Sequence, residues 1–510
     1  MNDVINNFFL TALKEQAQTN SEQPALIDME GNILTYARLY ALVLEMVAWL
    51  FSKGLRPDDT VIALLDNGID TALVVLGCLA LGVNYAPLAR DTRDEEIMNW
   101  VKVTGAQFCL VPASDISSKH WPKQDVKRLY LVNARERSSA PSISTAYLKS
   151  GCFIMPSSGS TGQPKAILLS GDRLWFAALA FVRFHALEQR NYRFWNYLPM
   201  SYLGGLFNLL LIPLAAKGSI IIDKAFNGQS FLRFWPNVKR LEINVLWLVP
   251  TIARGLITLA KRSQPAIAEY PQIQHCFIGT APTTLPEKDE FEVLFGCRPL
   301  ENYGLTETTF ISSEAKARKI FKDDSQLASG QVMPEVSIIL KAVNGNTPNL
   351  TQLWVKTPYI MLGYMADGAC HALETDEQGF WNTGDFVALT SNNEIQILGR
   401  GQDVIKKGGM TVLLRQIEYV AETYEGVAEA AAVKHKHAFY GESFRLYLTL
   451  KSPVADETRW LHRFKAWMRE RLPQPRWADD VYLMKAFPRT ASGKIQKHLF
   501  PTTEITVEDH

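Results

Sequence analysis

Apolar side chains recur at helical spacing soon after the start of the chain. Following Thr35, a residue able to cap a helix, Leu39, Leu42, Val43, Met46 and Leu50 fall on one face, and Gly54 supplies a stop. Residues 60–65 form a short unbroken apolar run, as a strand buried on both faces does. Residues 69–80 have helical character, and 83–86 give a second strand. Strand, helix and strand joined by short links predict a parallel α/β arrangement. The pattern returns at 194–199, 219–222, 245–249 and 276–279, so the expected fold is α/β, with a large N-terminal body of doubly wound α/β subdomains. Two apolar stretches approach the length of a membrane span. Gly77, Gly82, Asn84 and Pro87 interrupt residues 71–88, and Asn208, Pro213 and Lys217 interrupt 205–222, so each is expected to split into a helix and a strand.

Past Gly399 the pattern changes. A helix near 415–424, strands near 428–434 and 445–450, a helix near 457–471 and a strand at 481–484 predict a small α+β domain. The expected division is into residues 1–400 and a mobile C-terminal domain at 401–510. The polar stretch 135–144 is expected to be a surface connection.

A length of 510 residues accommodates these domains, and 47% hydrophobic with 21% charged residues excludes a disordered or fibrous chain. Fifty-three basic against 52 acidic residues leave a net charge of +1, which gives no bulk electrostatic reason to expect nucleic acid or an anionic membrane as partner. Cys78, Cys109, Cys152, Cys276, Cys297 and Cys370 show neither a Cys-x-x-Cys pair nor zinc spacing and are expected to be reduced core residues. The first residues carry no basic, apolar leader, so a cytoplasmic location is expected.

The stretch richest in chemistry is Ser157-Ser158-Gly159-Ser160-Thr161-Gly162-Gln163-Pro164-Lys165, directly after an apolar strand. Small residues let backbone N–H groups crowd around phosphate oxygens, hydroxyls add donors, and Lys165 adds a mobile positive charge. Pro164 precedes the lysine, so this is not a Walker-type phosphate loop, and a kinase or GTPase loses its main support. Four further motifs follow in order: Asn302-Tyr303-Gly304-Leu305-Thr306-Glu307-Thr308, Asn382-Thr383-Gly384-Asp385, Gly399-Arg400-Gly401-Gln402-Asp403-Val404-Ile405-Lys406 and Pro488-Arg489-Thr490-Ala491-Ser492-Gly493-Lys494. Shorter segments, Gly279-Thr280-Ala281-Pro282, Leu353-Trp354-Val355-Lys356 and Gly363-Tyr364, lie between them.

Together these motifs resemble the adenylate-forming superfamily of acyl-CoA and aryl-CoA ligases, luciferases and peptide-synthetase adenylation domains, from about residue 34 to 497. The resemblance implies a two-step reaction. A carboxylate attacks the α-phosphate of ATP to give an acyl-AMP and pyrophosphate, and a nucleophile then displaces AMP. It implies Lys494 as the catalytic lysine, Glu307 as the Mg2+ carboxylate with Thr306 beside it, and Tyr202 at the gate of the acyl pocket. It assigns nucleotide contacts to Ser157, Ser158, Gly159, Ser160, Thr161, Gly162, Lys165, Thr280, Ala281, Pro282, Asn302, Tyr303, Gly304, Asp385, Ile397 and Arg400. The hinge falls at Gln402, where relatives usually carry Asp or Lys, and a pantetheine tunnel at Lys407, Gly408 and Gly409. Tyr202 stands where many CoA ligases have histidine; Ala166 replaces a common glycine, and Leu414 and Gln416 a usual Pro and Glu.

The acyl pocket is expected from Tyr202, Leu203, Gly205, Asn208, Trp247, Gly279, Thr280 and Gly304, with a core-aromatic role for Trp247 equally open. Leu203 stands where peptide synthetases use an aspartate to hold an α-amino group, which disfavours an amino acid and favours an aryl or short-to-medium acyl acid. The acceptor is expected to be coenzyme A, with a carrier-protein pantetheine or an amine as alternatives. A non-catalytic relative is opposed by the presence of Lys494, Glu307 and Asp385.

Overall fold

A helix at Phe8–Thr19 precedes the one expected after Thr35, which Thr35 caps, its side chain accepting a hydrogen bond from Arg38 N at 3.3 Å, and which runs over Tyr36–Ser52. The next helix, Ile69–Leu81, is buried along every residue from Thr71 onward and ends on Gly82 in the left-handed conformation (φ +83°). Both elements follow the apolar pattern, because an amphipathic helix covers a core and an all-apolar one is surrounded by it.

This computed structural model describes residues 7–115, 126–131, 148–156, 165–189, 191–263, 270, 272–281, 283–315, 328–342, 350–489 and 495–501. The chain forms two units, one of Met1–Phe321, Gly330–Val336 and Thr357–Glu374, the other of Lys322–Ser329, Ser337–Lys356 and Thr375–His510. The fold is mixed α/β, with a larger N-terminal body and a smaller C-terminal domain.

In the larger unit one sheet runs in the order Ile33–Thr35, Pro24–Ile27, Ser219–Ile222, Arg193–Asn196, Val245–Leu248, His275–Gly279, Pro299–Leu305, Thr309–Ser313. It is parallel from Pro24–Ile27 to Pro299–Leu305 and closed at both ends by antiparallel partners. The second sheet runs Ala369–Ala372, Gly363–Ala366, Ala166–Ser170, Cys152–Pro156, Asn84–Pro87, Thr60–Ala63, Phe108–Pro112, Lys127–Leu131, and it turns antiparallel where Cys152–Pro156 meets Ala166–Ser170. The interrupted stretch 205–222 becomes a π-helix at Gly204–Leu211, a short α-helix at Ile212–Ala215 and the strand Ser219–Ile222. Among the described residues no helix is long and apolar enough to cross a membrane. The connection expected at 135–144 lies outside them.

In the smaller unit Ser337–Ala342, Thr351–Lys356, Trp381–Leu389 and Glu394–Arg400 pair antiparallel. A second sheet orders Met410–Leu413, Val404–Lys407, Gly441–Leu450 and Val427–His437, with Val481–Leu483 parallel to Gly441–Leu450. The helices Leu414–Glu422 and Glu457–Arg471 pack on it through a core that includes Ile417, Leu446, Trp460 and Phe464.

One expectation is corrected. All six cysteines are free, but Cys370 is exposed on the Ala369–Ala372 edge strand and Cys152 is half-buried, so only four belong to the core. An edge strand presents one face to solvent, which a bare count of cysteines does not show.

Beneath the larger unit's first sheet, Lys288 is buried between Glu301 (2.8 Å) and Glu314 (3.0 Å). Burial alone would lower the ammonium's pKa, but the two carboxylates outweigh it and hold it above its ordinary value. Lys288→Met strands two buried carboxylates. It should destabilise the unit by about 3–5 kcal/mol, read from urea unfolding; a loss under about 1 kcal/mol would mean the cluster is open to water.

Candidate active site

The Ser/Thr/Gly segment leaves Cys152–Pro156 and returns as Ala166–Ser170, an antiparallel hairpin in which Pro156 pairs with Ala166. Ser157, Ser158, Gly159, Ser160, Thr161 and Gly162 lie outside the described residues, as do Pro282 and Lys494. Lys165, at the hairpin's return, is exposed, and its Nζ sits 4.9 Å from the centre of the Tyr364 ring.

Glu307 is carried at the tip of a second hairpin, between Pro299–Leu305 and Thr309–Ser313. Gly304 makes this turn possible, because a Cβ there would lie 1.8 Å from the Thr309 carbonyl oxygen. Glu307 and Thr306 are half-buried. The Tyr364 hydroxyl donates to Glu307 Oε1 at 3.4 Å, and Met361 N donates to the Glu307 carbonyl at 2.7 Å. Burial, then the neighbouring carboxylate, pushes the Tyr364 phenol well above its ordinary range, so it stays a donor.

Gly279 ends the parallel strand His275–Gly279 and pairs with Asn302. Thr280 follows with φ +79°, rare for a β-branched residue, and Ala281 is exposed. The carboxyl ends of parallel strands are where open α/β sheets commonly bind ligands. The Asn302 side chain turns inward: its amide donates to the Leu300 and Ile278 carbonyls at 3.2 and 3.4 Å, and Ser313 Oγ donates to its Oδ1 at 2.6 Å. With that hydroxyl proton committed, His185 Nε2 at 2.8 Å must be the donor to Ser313 Oγ. Burial, then His275, pushes the His185 imidazole down to about 3, so it is neutral.

Tyr202 and Leu203 are half-buried just before the π-helix, and burial pushes the Tyr202 phenol up to about 12. Asn208 is half-buried on the π-helix itself, a helix form often found at functional sites. Gly205 is buried, and a Cβ there would lie 2.3 Å from the Pro199 carbonyl, so its lack of a side chain serves close packing rather than a pocket wall. Trp247 takes the core alternative: it is 1% exposed, its ring centre 5.6 Å from Phe310, 5.3 Å from Phe181 and 5.0 Å from Phe277. Phe310 also meets Phe207 of the π-helix at 5.6 Å, so one aromatic cluster joins the π-helix to the Glu307 hairpin. Sequence reasoning missed Phe207, Phe310 and Asn196, whose amide satisfies the Gly205 and Leu209 carbonyls at 2.9 and 3.1 Å.

In the smaller unit Asp385 and Arg400 are directly paired across two strands, with Arg400 Nε 3.2 Å from Asp385 Oδ1. Asp385 is buried and Arg400 exposed; Ile397 is half-buried on the same strand, paired with Val387. Gln402 lies in the 3-10 turn Gly401–Asp403, and Asp403 takes Lys497 at 3.0 Å. Lys497 also meets the buried Glu418 at 2.8 Å. Arg489 and Ile495 pair antiparallel, closing the segment that contains Lys494. Lys407 is turned into the domain core, its Nζ 2.9 Å from Asp479 and 2.8 Å from the Trp477 carbonyl. Gly408 and Gly409 (φ +59° and +81°) follow it in a turn.

Among the described residues no group of three or more His, Cys, Asp or Glu is placed to hold a metal. A lone carboxylate such as Glu307 is nevertheless compatible with Mg2+, which binds through one or two carboxylates plus substrate phosphates.

The family model for AMP-binding enzymes matches residues 13–365, and that for the AMP-binding enzyme C-terminal domain matches residues 416–494. Among curated proteins, a 2-succinylbenzoate–CoA ligase of Bacillus licheniformis is 24% identical over 95% of this chain and 98% of its own. A medium/long-chain-fatty-acid–[acyl-carrier-protein] ligase, FadD10, of Mycobacterium tuberculosis is 26% identical over 95% and 93%. Among solved structures, ATP-bound MatB from Rhodopseudomonas palustris shares the fold with a TM-score of 0.83 at 22% identity, covering 97% of both chains.

Two outcomes follow from this geometry. Thr280→Gly relieves the left-handed threonine and should raise stability by about 1 kcal/mol; an unchanged or lower urea midpoint would mean the backbone there is unstrained. For His185 the unfolded chain, with its ordinary value of 6.5, takes up a proton before the folded one does at about 3. Stability is full above pH 6.5 and falls as pH drops toward 3, with a slope approaching about 1.4 kcal/mol per pH unit from this group. His185→Gln should flatten the urea-derived stability profile between pH 6 and 4, and an unaltered slope would mean that His185 titrates normally.

Proposed function

Because the chain belongs to the AMP-binding enzyme family, we propose that it is an AMP-forming acid–thiol ligase that activates a carboxylic acid with ATP and passes the acyl group to coenzyme A. The observation that carries this reading is the meeting of Lys165, at the return of the Ser/Thr/Gly segment, with Glu307 on either side of Tyr364. A cation and a carboxylate held this way suit a triphosphate and its metal.

In the first step a carboxylate oxygen attacks the α-phosphorus, the bond to the β-phosphate oxygen breaks, and pyrophosphate leaves. The backbone and hydroxyls of the 157–162 segment and Lys165 receive the phosphates. Glu307, with Thr306 beside it, would hold the Mg2+ that accompanies ATP and supplies charge neutralisation when bound. Thr280, Ala281, Pro282, Tyr303 and Gly304 border the nucleotide; with its amide turned inward, Asn302 contributes main chain. Asp385 and Arg400 receive the ribose, and Ile397 lines its approach. Lys494 supplies the cation at the α-phosphate. In the second step the thiol gives its proton to solvent, its sulfur attacks the acyl carbon, and AMP leaves with the C–O electron pair. Residues 401–510 form the moving domain, pivoting at Gln402. Since Lys407 is committed to Asp479, the tunnel wall falls to Gly408 and Gly409.

Tyr202, Leu203, Asn208, Gly279, Thr280 and Gly304 border the acyl pocket, a set without charged side chains that favours an aryl or short-to-medium acid in a cytoplasmic enzyme. A second reading, transfer to the pantetheine of a carrier protein, draws on the carrier-protein ligases among the relatives.

The test is AMP and pyrophosphate release from ATP and Mg2+ across aryl, cyclic and linear acids, with and without coenzyme A. Acid-dependent AMP that rises with coenzyme A is expected; AMP release indifferent to coenzyme A would move the acceptor to a carrier protein or an amine. Lys494→Ala should slow acyl-AMP formation by about two to three powers of ten while sparing transfer from supplied acyl-AMP. Equal loss of both steps would refute the domain alternation.

A further inference from the structure

We infer that Tyr364 is the positioning residue of this site, its hydroxyl orienting the Glu307 carboxylate and its ring face seating the Lys165 ammonium, so that one side chain sets both charges presented to ATP. The inference rests on the nucleotide reading above and adds a residue to it.

Strand register brings the three together. Gly363–Ala366 pairs antiparallel with Ala166–Ser170, and Tyr364 stands opposite Ile167. Directly opposed residues share a face of the sheet, and so do residues two apart on one strand, so Lys165 is the diagonal neighbour of Tyr364. That relation accounts for the 4.9 Å between the ammonium and the ring centre, within the range of a cation–π contact. On the other side the hydroxyl reaches Glu307 Oε1 at 3.4 Å.

The segment carrying Tyr364 is held independently of any ligand. Met361 N donates to the Glu307 carbonyl at 2.7 Å, Leu362 N to the Leu168 carbonyl at 2.8 Å, and Arg173 Nη1 to the Ile360 carbonyl at 2.6 Å. Three anchors on three elements therefore define where the phenol stands. A protonated phenol is suited to the position: its hydroxyl donates to an anion while its ring face attracts a cation.

Substitution separates the two contacts. Tyr364→Phe keeps the ring and removes the donor; Tyr364→Leu removes both. ATP binding to the full-length protein is titrated calorimetrically, once in EDTA and once in Mg2+, beside the melting temperature of each variant. For Tyr364→Phe, metal-free ATP should bind within about two-fold of the parent, while affinity in Mg2+ and the Mg2+ dependence of pyrophosphate release weaken by about three- to ten-fold, the scale of one ordinary hydrogen bond. Tyr364→Leu should weaken metal-free binding as well, by about two- to five-fold. A Tyr364→Phe protein with parental Mg2+ dependence overturns the inference. So does an equal fall in both variants under both conditions with lowered melting temperatures, which would make Tyr364 a packing residue. A parent that binds no ATP in either condition refutes the nucleotide reading itself, and this inference with it.

Discussion

The larger unit's chemistry turns on a single close approach, the Thr309 carbonyl lying where a side chain at Gly304 would be. Any other residue at 304 would push the two strands apart, and the turn between Leu305 and Thr309 would open. From this turn Glu307 is directed toward Tyr364, Phe310 into the aromatic cluster, and Ser313 toward Asn302 and His185. A loop of the same length without that constraint would present the same residues in many arrangements, and the entropy of ordering them would fall on substrate binding.

Behind the hairpin lie buried polar groups. His185, Ser313 and Asn302 form one buried chain, and Lys288, Glu301 and Glu314 another, both anchored on the strand Pro299–Leu305 that leads into the Glu307 turn. Buried polar groups cost stability wherever a partner is missing, so a satisfied network admits few alternative registers. Sliding the strand by one residue would strand Glu301 from Lys288 and Asn302 from Ser313 together. The penalty for misplacing Glu307 is thus spread through the core rather than borne by the surface turn alone.

Much of this was legible in the sequence. The capped helix after Thr35, the buried helix ending at Gly82 and the parallel strands follow from apolar spacing, because burial on one face or all round imposes a period on the chain. Glu307, Asp385 and Lys165 stood out through their local motifs. Tyr364 was visible only as half of a Gly-Tyr pair, since its meaning comes from strands separated by some two hundred residues. Lys407 was expected with two glycines along a pantetheine tunnel, and its ammonium is held by Asp479, 72 residues away. Gly205 read as pocket wall and Trp247 as pocket wall or core aromatic with equal weight; close packing, which no linear pattern reports, sets Gly205 against the Pro199 carbonyl and Trp247 among aromatic rings. Asn196 escaped notice because the π-helix whose carbonyls it satisfies has no sequence signature of its own.

The smaller unit meets a different constraint, that of holding both ends of the short polar segment that contains Lys494. Residues flanking Lys494 are tied down on both sides: Arg489 pairs with Ile495 and with Glu429, while Lys497 joins Asp403 to the buried Glu418. Burial alone would lower the Lys497 ammonium's pKa, but the Glu418 and Asp403 carboxylates outweigh it, so the tie holds throughout the neutral range. Asp403 directly follows Gln402, so the residue beside the proposed pivot is fastened to the same ion cluster as the segment it must move. Gln402 lacks the charge that relatives commonly carry there, and the charged contact at this turn is made instead by its neighbour. If the domain pivots at 402 as proposed, Arg489, Ile495 and Lys497, which flank the lysine segment, would travel with Asp403 and Glu418.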